Sequence, residues 1–240
     1  MSNKRTDSNG YTIVFAIVMV VVVGFLLAFF ANFTQELRDK NEKVKKKIDV
    51  LNSIGIQSTR ANADTLFDTY IKEQYVINGT KANADQTAYL IDLKKEQDKL
   101  KNGKIPNLPL FIADVKGEQV YIIPVRGNGL WDAIWGYVAL NKDLKSIYGV
   151  YFDHRGETPG LGANITEAYF TDDFKGEMLY DKDGNFKSVE ISKTNGDPNN
   201  NDKLDNQVDA LSGATITGNG VGAMLKKGMK LYLPYFKTLK

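Results

Sequence analysis

An uninterrupted apolar segment near the N-terminus constrains this chain more than any other feature. No charged residue occurs between Asp7 and Glu36, and within that gap the segment from Tyr11 to Phe33 is almost entirely apolar. About 20 such residues in a helix cross the hydrocarbon core of a bilayer, so the segment predicts a transmembrane helix. A cleaved signal peptide fits less well, because the run is too long and no small-residue cleavage site closes it. No second long apolar run follows, and we expect a single span.

The charges beside this helix leave its orientation open. Lys4 and Arg5 precede it, and more basic residues follow it, namely Arg38, Lys40, Lys43, Lys45, Lys46 and Lys47. That count favours a cytoplasmic C-terminal part. Acidic residues are interleaved with the lysines, however, long domains translocate largely regardless of charge, and a short N-terminus is easily kept inside.

Composition limits the chemistry that the rest of the chain can perform. The 240 residues are 42% hydrophobic and suffice for one globular domain plus an appendage. The net charge is only +2, and neither a basic face nor a recognition motif points to nucleic acid. No cysteine is present and His154 is the single histidine, so thiolate metal sites, iron–sulfur clusters and histidine-rich metal centres are excluded. Any redox chemistry must come from an organic cofactor.

The hydrophobic pattern predicts an α+β fold in which helices flank a mainly antiparallel sheet. Four limits follow: a short cytoplasmic N-terminus (residues 1–10), a transmembrane helix (11–33), a helical connecting region (34–104) and a C-terminal domain (105–240). Within these limits we expect helices over residues 36–51, 62–75 and from about 212 to beyond 227, and a helix or helix–strand segment over 89–100. We expect strands over residues 110–112, 119–125, 136–140, 147–152 and 186–191.

The segment Asp209-Ala210-Leu211-Ser212-Gly213-Ala214-Thr215 carries the most chemical information. Ser212 is predicted as the N-cap of the last helix, with Gly213 and Ala214 keeping its first turn uncrowded. Free amides and the positive end of a helix suit a phosphate. The last four of these residues, taken alone, fit an ordinary serine-capped helix equally well.

A second motif follows the strand that ends at Phe152. It reads His154-Arg155-Gly156-Glu157-Thr158-Pro159-Gly160-Leu161-Gly162, and its Pro-Gly pair predicts a type II turn with positive φ at Gly160. Leu161 would project from this turn and could pack on a flat ring. An earlier segment, Gly127-Asn128-Gly129-Leu130-Trp131, places an aromatic residue beside two glycines.

These three motifs, in this order and behind a single N-terminal span, resemble the FMN-binding domain family, and within it the FMN-carrying subunit of the sodium-translocating NADH:quinone oxidoreductase. The resemblance covers nearly the whole chain, although residues 57–104 carry no matching motif. It implies an extracytoplasmic FMN-binding domain, periplasmic on a bacterial inner membrane, and we adopt this side despite the lysine count. It also implies an electron relay from NADH towards quinone coupled to Na+ export. NADH oxidation, the quinone site and the sodium path would belong to other subunits.

The resemblance assigns roles residue by residue. FMN would be esterified through its phosphate to Thr215 by a flavin transferase, with Ser212, Gly213 and Ala214 beside the phosphate. Thr158 and Leu161 would meet the flavin ring, Glu157 and Gly160 would fix the shape of their turn, and Trp131 would shield a ring edge. Lys193 is a candidate electropositive neighbour of the flavin. Thr217, about 200° further around the helix, should point elsewhere.

Two other interpretations stay open at this point. The homologous flavoprotein subunit of the Rnf ferredoxin:NAD oxidoreductase complex shares two of the motifs, whereas the glycine-rich segment before Trp131 and the chain length favour the first assignment. A membrane-anchored assembly module without a cofactor belongs to a different class and would be colourless.

Overall fold

The computed structural model describes residues 8–194, 196–197 and 199–239. The chain divides into two units, one ending at Lys43 and one beginning at Val44. The helices are α1 (Asn9–Phe33), α2 (Gln35–Ser53), α3 (Ala63–Tyr70), α4 (Leu93–Lys101), α5 (Ala168–Thr171), α6 (Thr215–Lys230) and α7 (Leu233–Phe236). The strands are β1 (Ile71–Asn78), β2 (Lys81–Ala84), β3 (Leu108–Val115), β4 (Glu118–Asn128), β5 (Ala133–Asn141), β6 (Ile147–His154), β7 (Glu190–Ile191) and β8 (Gln207–Val208).

Helix α1 agrees with the predicted span. Its 25 residues make it long and apolar enough to cross a membrane. The Ser8 side chain accepts a hydrogen bond from the Tyr11 N–H at 3.2 Å and caps the helix start. Lys4, Arg5 and Asp7, which the orientation argument used, lie outside the described residues.

The second unit is built on a six-stranded antiparallel sheet with the order β2-β1-β3-β4-β5-β6. Local turns set much of this order. Lys116 and Gly117, both at positive φ, close the predicted β3–β4 hairpin in two residues. Strands β7 and β8 form a separate parallel pair. The predicted α+β class, a mainly antiparallel sheet flanked by helices, is confirmed.

Both faces of the six-stranded sheet are covered. On one face Ile123 and Val125 of β4 belong to a core that includes Val221 and Met224 of α6. On the other face Ile122 packs in a second core with residues of α2 and α3. Successive residues of a strand point to opposite faces, so burial of both faces explains why β4 reads as a continuous apolar run.

The predicted helix over residues 62–75 is wrong in its second half. Helix α3 ends at Tyr70, and β1 continues from Ile71 between β2 and β3. Burial of Ile71, Gln74 and Ile77 mimics the spacing of a helix, because a register shift between Ile71 and Glu73 interrupts the strand alternation. The region 34–104 is therefore not helical throughout, since it contributes two strands to the sheet. The predicted domain limits themselves stay predictions.

The predicted strand over residues 186–191 is also corrected. Only Glu190 and Ile191 form a strand, and Phe186 makes an isolated bridge with Tyr180. Ser188 has a φ of 69°, a left-handed conformation that cannot continue a strand. The loop predicted over residues 195–206 includes Asn195 and Pro198, which lie outside the described residues.

Candidate functional site

A cleft of about 260 Å³ forms where three separate loops meet. The connection between β4 and β5 contributes Leu130 and Trp131, and the turn after β6 contributes residues 157, 158, 161 and 162. The start of α6 and the turn before it contribute residues 213–217. The structure thus brings together residues from all three motifs.

The turn after β6 has the predicted geometry. The Leu161 N–H donates to the Thr158 carbonyl at 3.1 Å, and Gly160 has a φ of 75°. Pro159 and Gly160 therefore occupy the two central positions of a type II turn, which only a residue tolerant of positive φ can complete. The turn leaves the Thr158 and Leu161 side chains exposed at the cleft.

Glu157 joins the three loops from below. Its Oε1 accepts the Trp131 N–H at 2.9 Å, and its Oε2 accepts the Thr217 hydroxyl at 2.6 Å. Burial alone would raise the pKa of this carboxyl. The hydrogen bonds from Thr217 and from the Trp131, Asp132 and Leu130 backbone outweigh that effect and lower the pKa below its ordinary value. Glu157 is therefore a buried, ionised acceptor at neutral pH.

The segment before α6 corrects one prediction. The Ala214 N–H donates to the Leu211 carbonyl at 3.0 Å, and Gly213 between them has a φ of 69°. The helix begins at Thr215, three residues later than predicted, and Ala214 occupies the N-cap position without a side-chain cap. Ser212 is exposed in the preceding turn and caps nothing. The first amides of α6 consequently have no side-chain acceptor.

The two threonines in the first turn of α6 have opposite environments. Thr215 is exposed on the cleft, whereas Thr217 is 1% exposed and directed at Glu157. Their separation of two residues, about 200° on a helix, explains the difference. The expectation that Thr217 points away from Thr215 is confirmed.

The rim of the cleft carries large apolar side chains that remain in contact with solvent. Trp131 is 69% exposed and Ile216 is 59% exposed, and Leu130 and Leu161 are exposed beside them. Solvent-exposed apolar side chains that converge on one cleft are typical of a binding site. An exposed ion pair between Arg155 and Asp132, 3.4 Å apart, lies next to Trp131 in the chain.

Two residues singled out in the sequence do not line the cleft. Lys193 is exposed after β7, and Asp209 is half-buried after β8. Conversely, sequence reasoning missed Leu130 and Ile216 as lining residues. Their exposure would have been the signal, and it is visible only in the folded chain. The contact between Glu157 and Thr217 spans 60 residues, and no local pattern predicts it.

The residues at the cleft fit a phosphate joined to a flat aromatic group. Uncapped amides and the positive end of the 16-residue helix α6 suit a phosphate, and Thr215 offers a free hydroxyl beside them. Leu161, Trp131 and Ile216 provide apolar surfaces for a ring. Among the described residues, no cluster of histidine or carboxylate side chains has the arrangement of a metal site.

Comparison with known families agrees with this interpretation of the cleft. Residues 129–230 match the family model of the FMN-binding domain, and that range includes every residue that lines the cleft. The fold and the site thus define a flavoprotein of the FMN-binding domain class, preceded in the chain by an apolar helix that could span a membrane.

Similar proteins narrow the assignment further. The chain is 30% identical to NqrC of the Na(+)-translocating NADH-quinone reductase of Pseudomonas aeruginosa, over 94% of this chain and 92% of that protein. It is 26% identical to NqrC of Haemophilus ducreyi over 99% of this chain and 98% of that one. The chain belongs to the NqrC family, a subunit family of the Na(+)-translocating NADH-quinone reductases.

Solved structures of this family have the same fold. The crystal structure of NqrC from Parabacteroides distasonis superposes with a TM-score of 0.74 at 33% identity, covering 84% of this chain and 96% of that one. The Shewanella oneidensis NqrC structure gives 0.66 at 26% identity, covering 83% and 98%.

Proposed function

We propose that this chain carries FMN bound covalently to Thr215 and relays electrons within a sodium-pumping NADH:quinone oxidoreductase. One observation carries the proposal: Thr215 presents the exposed hydroxyl in the first turn of α6, beside amides that no side chain caps, at the wall of an apolar cleft. The FMN-binding family match over the same residues supports it.

The attachment is a group transfer without redox change. The Thr215 hydroxyl oxygen forms a bond to the phosphorus of an activated flavin nucleotide, the bond from that phosphorus to its leaving group breaks, and the hydroxyl proton is released. A flavin transferase, which we propose as a maturation partner, supplies the activated nucleotide and accepts the proton. The net gain in mass is FMN less one water.

The cleft residues then divide between two tasks. Ser212, Gly213, Ala214 and the amides of the first turn surround the phosphate, where the positive helix end offsets its charge. Gly213 approaches Leu161 so closely that a Cβ there would lie 2.7 Å from Leu161 Cδ2. Leu161 and Thr158 contact one part of the ring, and Trp131 covers an edge. Glu157 and Gly160 hold these groups in place.

When bound, FMN supplies the redox chemistry that no side chain of this protein offers. The exposed rim of Trp131, Leu130 and Ile216 leaves the ring side of the cleft accessible for transfer to a neighbouring subunit. We propose that other subunits oxidise NADH, reduce quinone and move Na+, so this chain alone is an incomplete enzyme. Helix α1 would anchor it in the bacterial inner membrane with the domain in the periplasm.

Mass spectrometry of the co-expressed protein tests the attachment. With a flavin transferase present, the wild-type chain should gain the mass of FMN less water on the peptide that contains Thr215. Thr215→Ala should abolish the gain, and Thr217→Ala should leave it on Thr215. Attachment that survives Thr215→Ala and disappears with Thr217→Ala would move the site to Thr217. A colourless wild-type chain would favour an assembly module without a cofactor.

A further inference from the structure

We infer that Glu157 is a positioning residue for flavin attachment, because it holds the first turn of α6 through Thr217 and thereby presents Thr215 alone to the transfer reaction. The inference rests on the proposed function. It explains how one of two hydroxyls, two residues apart in the same helical turn, is selected.

The hydrogen bond between Glu157 and Thr217 has a defined direction. An ionised carboxylate only accepts hydrogen bonds, so the Thr217 hydroxyl must donate its proton to Oε2, 2.6 Å away. A hydroxyl that is 1% exposed and whose proton is bound to a buried carboxylate is withheld from any incoming phosphate. Thr215 has no such restraint on its exposed side chain in the described contacts.

The carboxylate is itself fixed from the opposite side. Its Oε1 accepts the Trp131 N–H at 2.9 Å, so Glu157 bridges the β4–β5 connection to the first turn of α6. Hydrogen bonds to an ionised group are shorter and stronger than neutral ones, which favours a rigid bridge.

Close packing leaves no room for this bridge to shift. A Cβ at Gly162 would lie 2.6 Å from the Thr217 hydroxyl and would also collide with Glu157 Oε2. A Cβ at Gly129 would lie 2.8 Å from the carboxyl carbon of Glu157. Both glycines belong to the two loops beside the cleft, and their bare backbones enclose the contact. The first turn of α6 is therefore held in one rotation, with Thr215 facing the cleft.

The test measures the rate of FMN attachment to the purified full-length chain in detergent, with a flavin transferase and its flavin nucleotide donor. Glu157→Gln removes the charge at nearly constant shape, and Thr217→Val removes the hydroxyl that donates. We expect each to slow attachment about tenfold, the scale of losing one charge-assisted hydrogen bond. Thr217→Ser restores the hydroxyl and should recover a rate within about twofold of wild type. The exposed Glu167→Gln is the matched control, with no change expected.

Amide hydrogen exchange on the same chains without FMN supplies a readout that does not depend on attachment. In Glu157→Gln and Thr217→Val, peptides covering residues 129–132 and 215–218 should exchange faster, while those covering β5 and β6 keep their protection. That pattern separates a released first turn from general unfolding.

The outcomes distinguish this inference from the proposed function. A wild-type chain that takes up no FMN overturns the proposed function and this inference with it. Wild-type attachment at Thr215 together with unchanged rates and exchange in Glu157→Gln and Thr217→Val overturns only the role of Glu157. A rate in Thr217→Ser as low as in Thr217→Val also overturns it, because the hydroxyl would then be irrelevant.

Discussion

Two buried glutamates show how the surroundings of a single residue set its charge. Hydrogen bonds from Thr217 and three backbone amides overcome the effect of burial at Glu157 and lower the pKa of its carboxyl. Glu177 is completely buried and neither of its carboxylate oxygens has a hydrogen bond, while the Lys203 ammonium lies 3.6 Å from Oε1. Burial therefore raises the pKa of Glu177 to about 7. The first residue serves the site as an anion, and the second costs stability when it ionises.

The raised pKa of Glu177 predicts a pH-dependent gain from Glu177→Gln. Folded Glu177 binds more protons than unfolded Glu177 between its ordinary pKa and about 7, so the wild-type free energy of unfolding falls as pH rises through that window. Glutamine does not titrate. The variant should gain on wild type between pH 5 and pH 8, by up to about 3 kcal/mol. Denaturant unfolding at both pH values measures this difference, and an advantage that shrinks with rising pH would contradict the expectation.

Leu161→Ala tests whether the turn after β6 contacts the flavin. Leu161 is 42% exposed, so truncation should lower the free energy of unfolding by only about 1 kcal/mol. Attachment at Thr215 should persist, since the anchor lies in another segment. The absorbance and fluorescence of the bound flavin should change. Leu204→Ala, which truncates an exposed leucine that does not line the cleft, is the control. Identical flavin spectra in the two variants would remove Leu161 from the site.

At the scale of elements, helix α6 has two tasks along its length. Its first turn forms one wall of the cleft, and its later turns pack on β4 in the core that contains Val125, Met224 and Met229. Close approach requires glycine here: a Cβ at Gly228 would lie 2.7 Å from Val125 Cγ1. A Cβ at Gly220 would collide with the Asn128 carbonyl oxygen, at the point where β4 leads into the cleft loop.

Two alanine substitutions in α6 should therefore have opposite effects. Gly220→Ala must displace backbone at Asn128, and we expect a loss of about 1–3 kcal/mol in the free energy of unfolding together with slower FMN attachment. Gly222→Ala has its nearest neighbour, the Ile191 nitrogen, at 3.6 Å, an ordinary contact. It should gain up to about 1 kcal/mol, since alanine favours a helix over glycine. Thermal unfolding of both variants checks this, and equal stability would show that Asn128 yields freely.

At the scale of the whole molecule, tertiary contacts change the meaning of the basic residues after α1. Lys45 lies 2.7 Å from Asp153 and 3.0 Å from Asp49, and Lys47 lies 2.7 Å from Asp64. These lysines help to attach the end of α2 to the sheet unit that begins at Val44. They therefore have a structural reason to be present, and their number is weaker evidence for a cytoplasmic domain than the raw count indicates.

We accordingly predict that the part of the chain after Phe33 lies in the periplasm. An alkaline phosphatase reporter fused after Lys240 should be active, because that enzyme acquires its disulfides only in an oxidising compartment. A cytoplasmic reporter at the same position should be inactive. The reverse pair of results would place the domain in the cytoplasm.

The sequence by itself determined the features that depend on local chemistry. The length of the apolar run set α1, the Lys116-Gly117 pair set the β3–β4 hairpin, and Pro159-Gly160 set the turn at the cleft. Helical geometry alone separated Thr215 from Thr217. Steric limits on a few neighbouring residues are enough for each of these outcomes, so they can be predicted before the chain is folded.

Tertiary structure decided what depends on distant partners. Residues 71–78 became a strand because β3 and β2 pair with them, and the helix-like spacing of their apolar residues gave no sign of it. Ser212 lost its predicted capping role to a turn that ends at Ala214. The bridge from Glu157 to Thr217 joins residues 60 positions apart. Burial and hydrogen bonding across such separations depend on the packed core, which local periodicity does not encode.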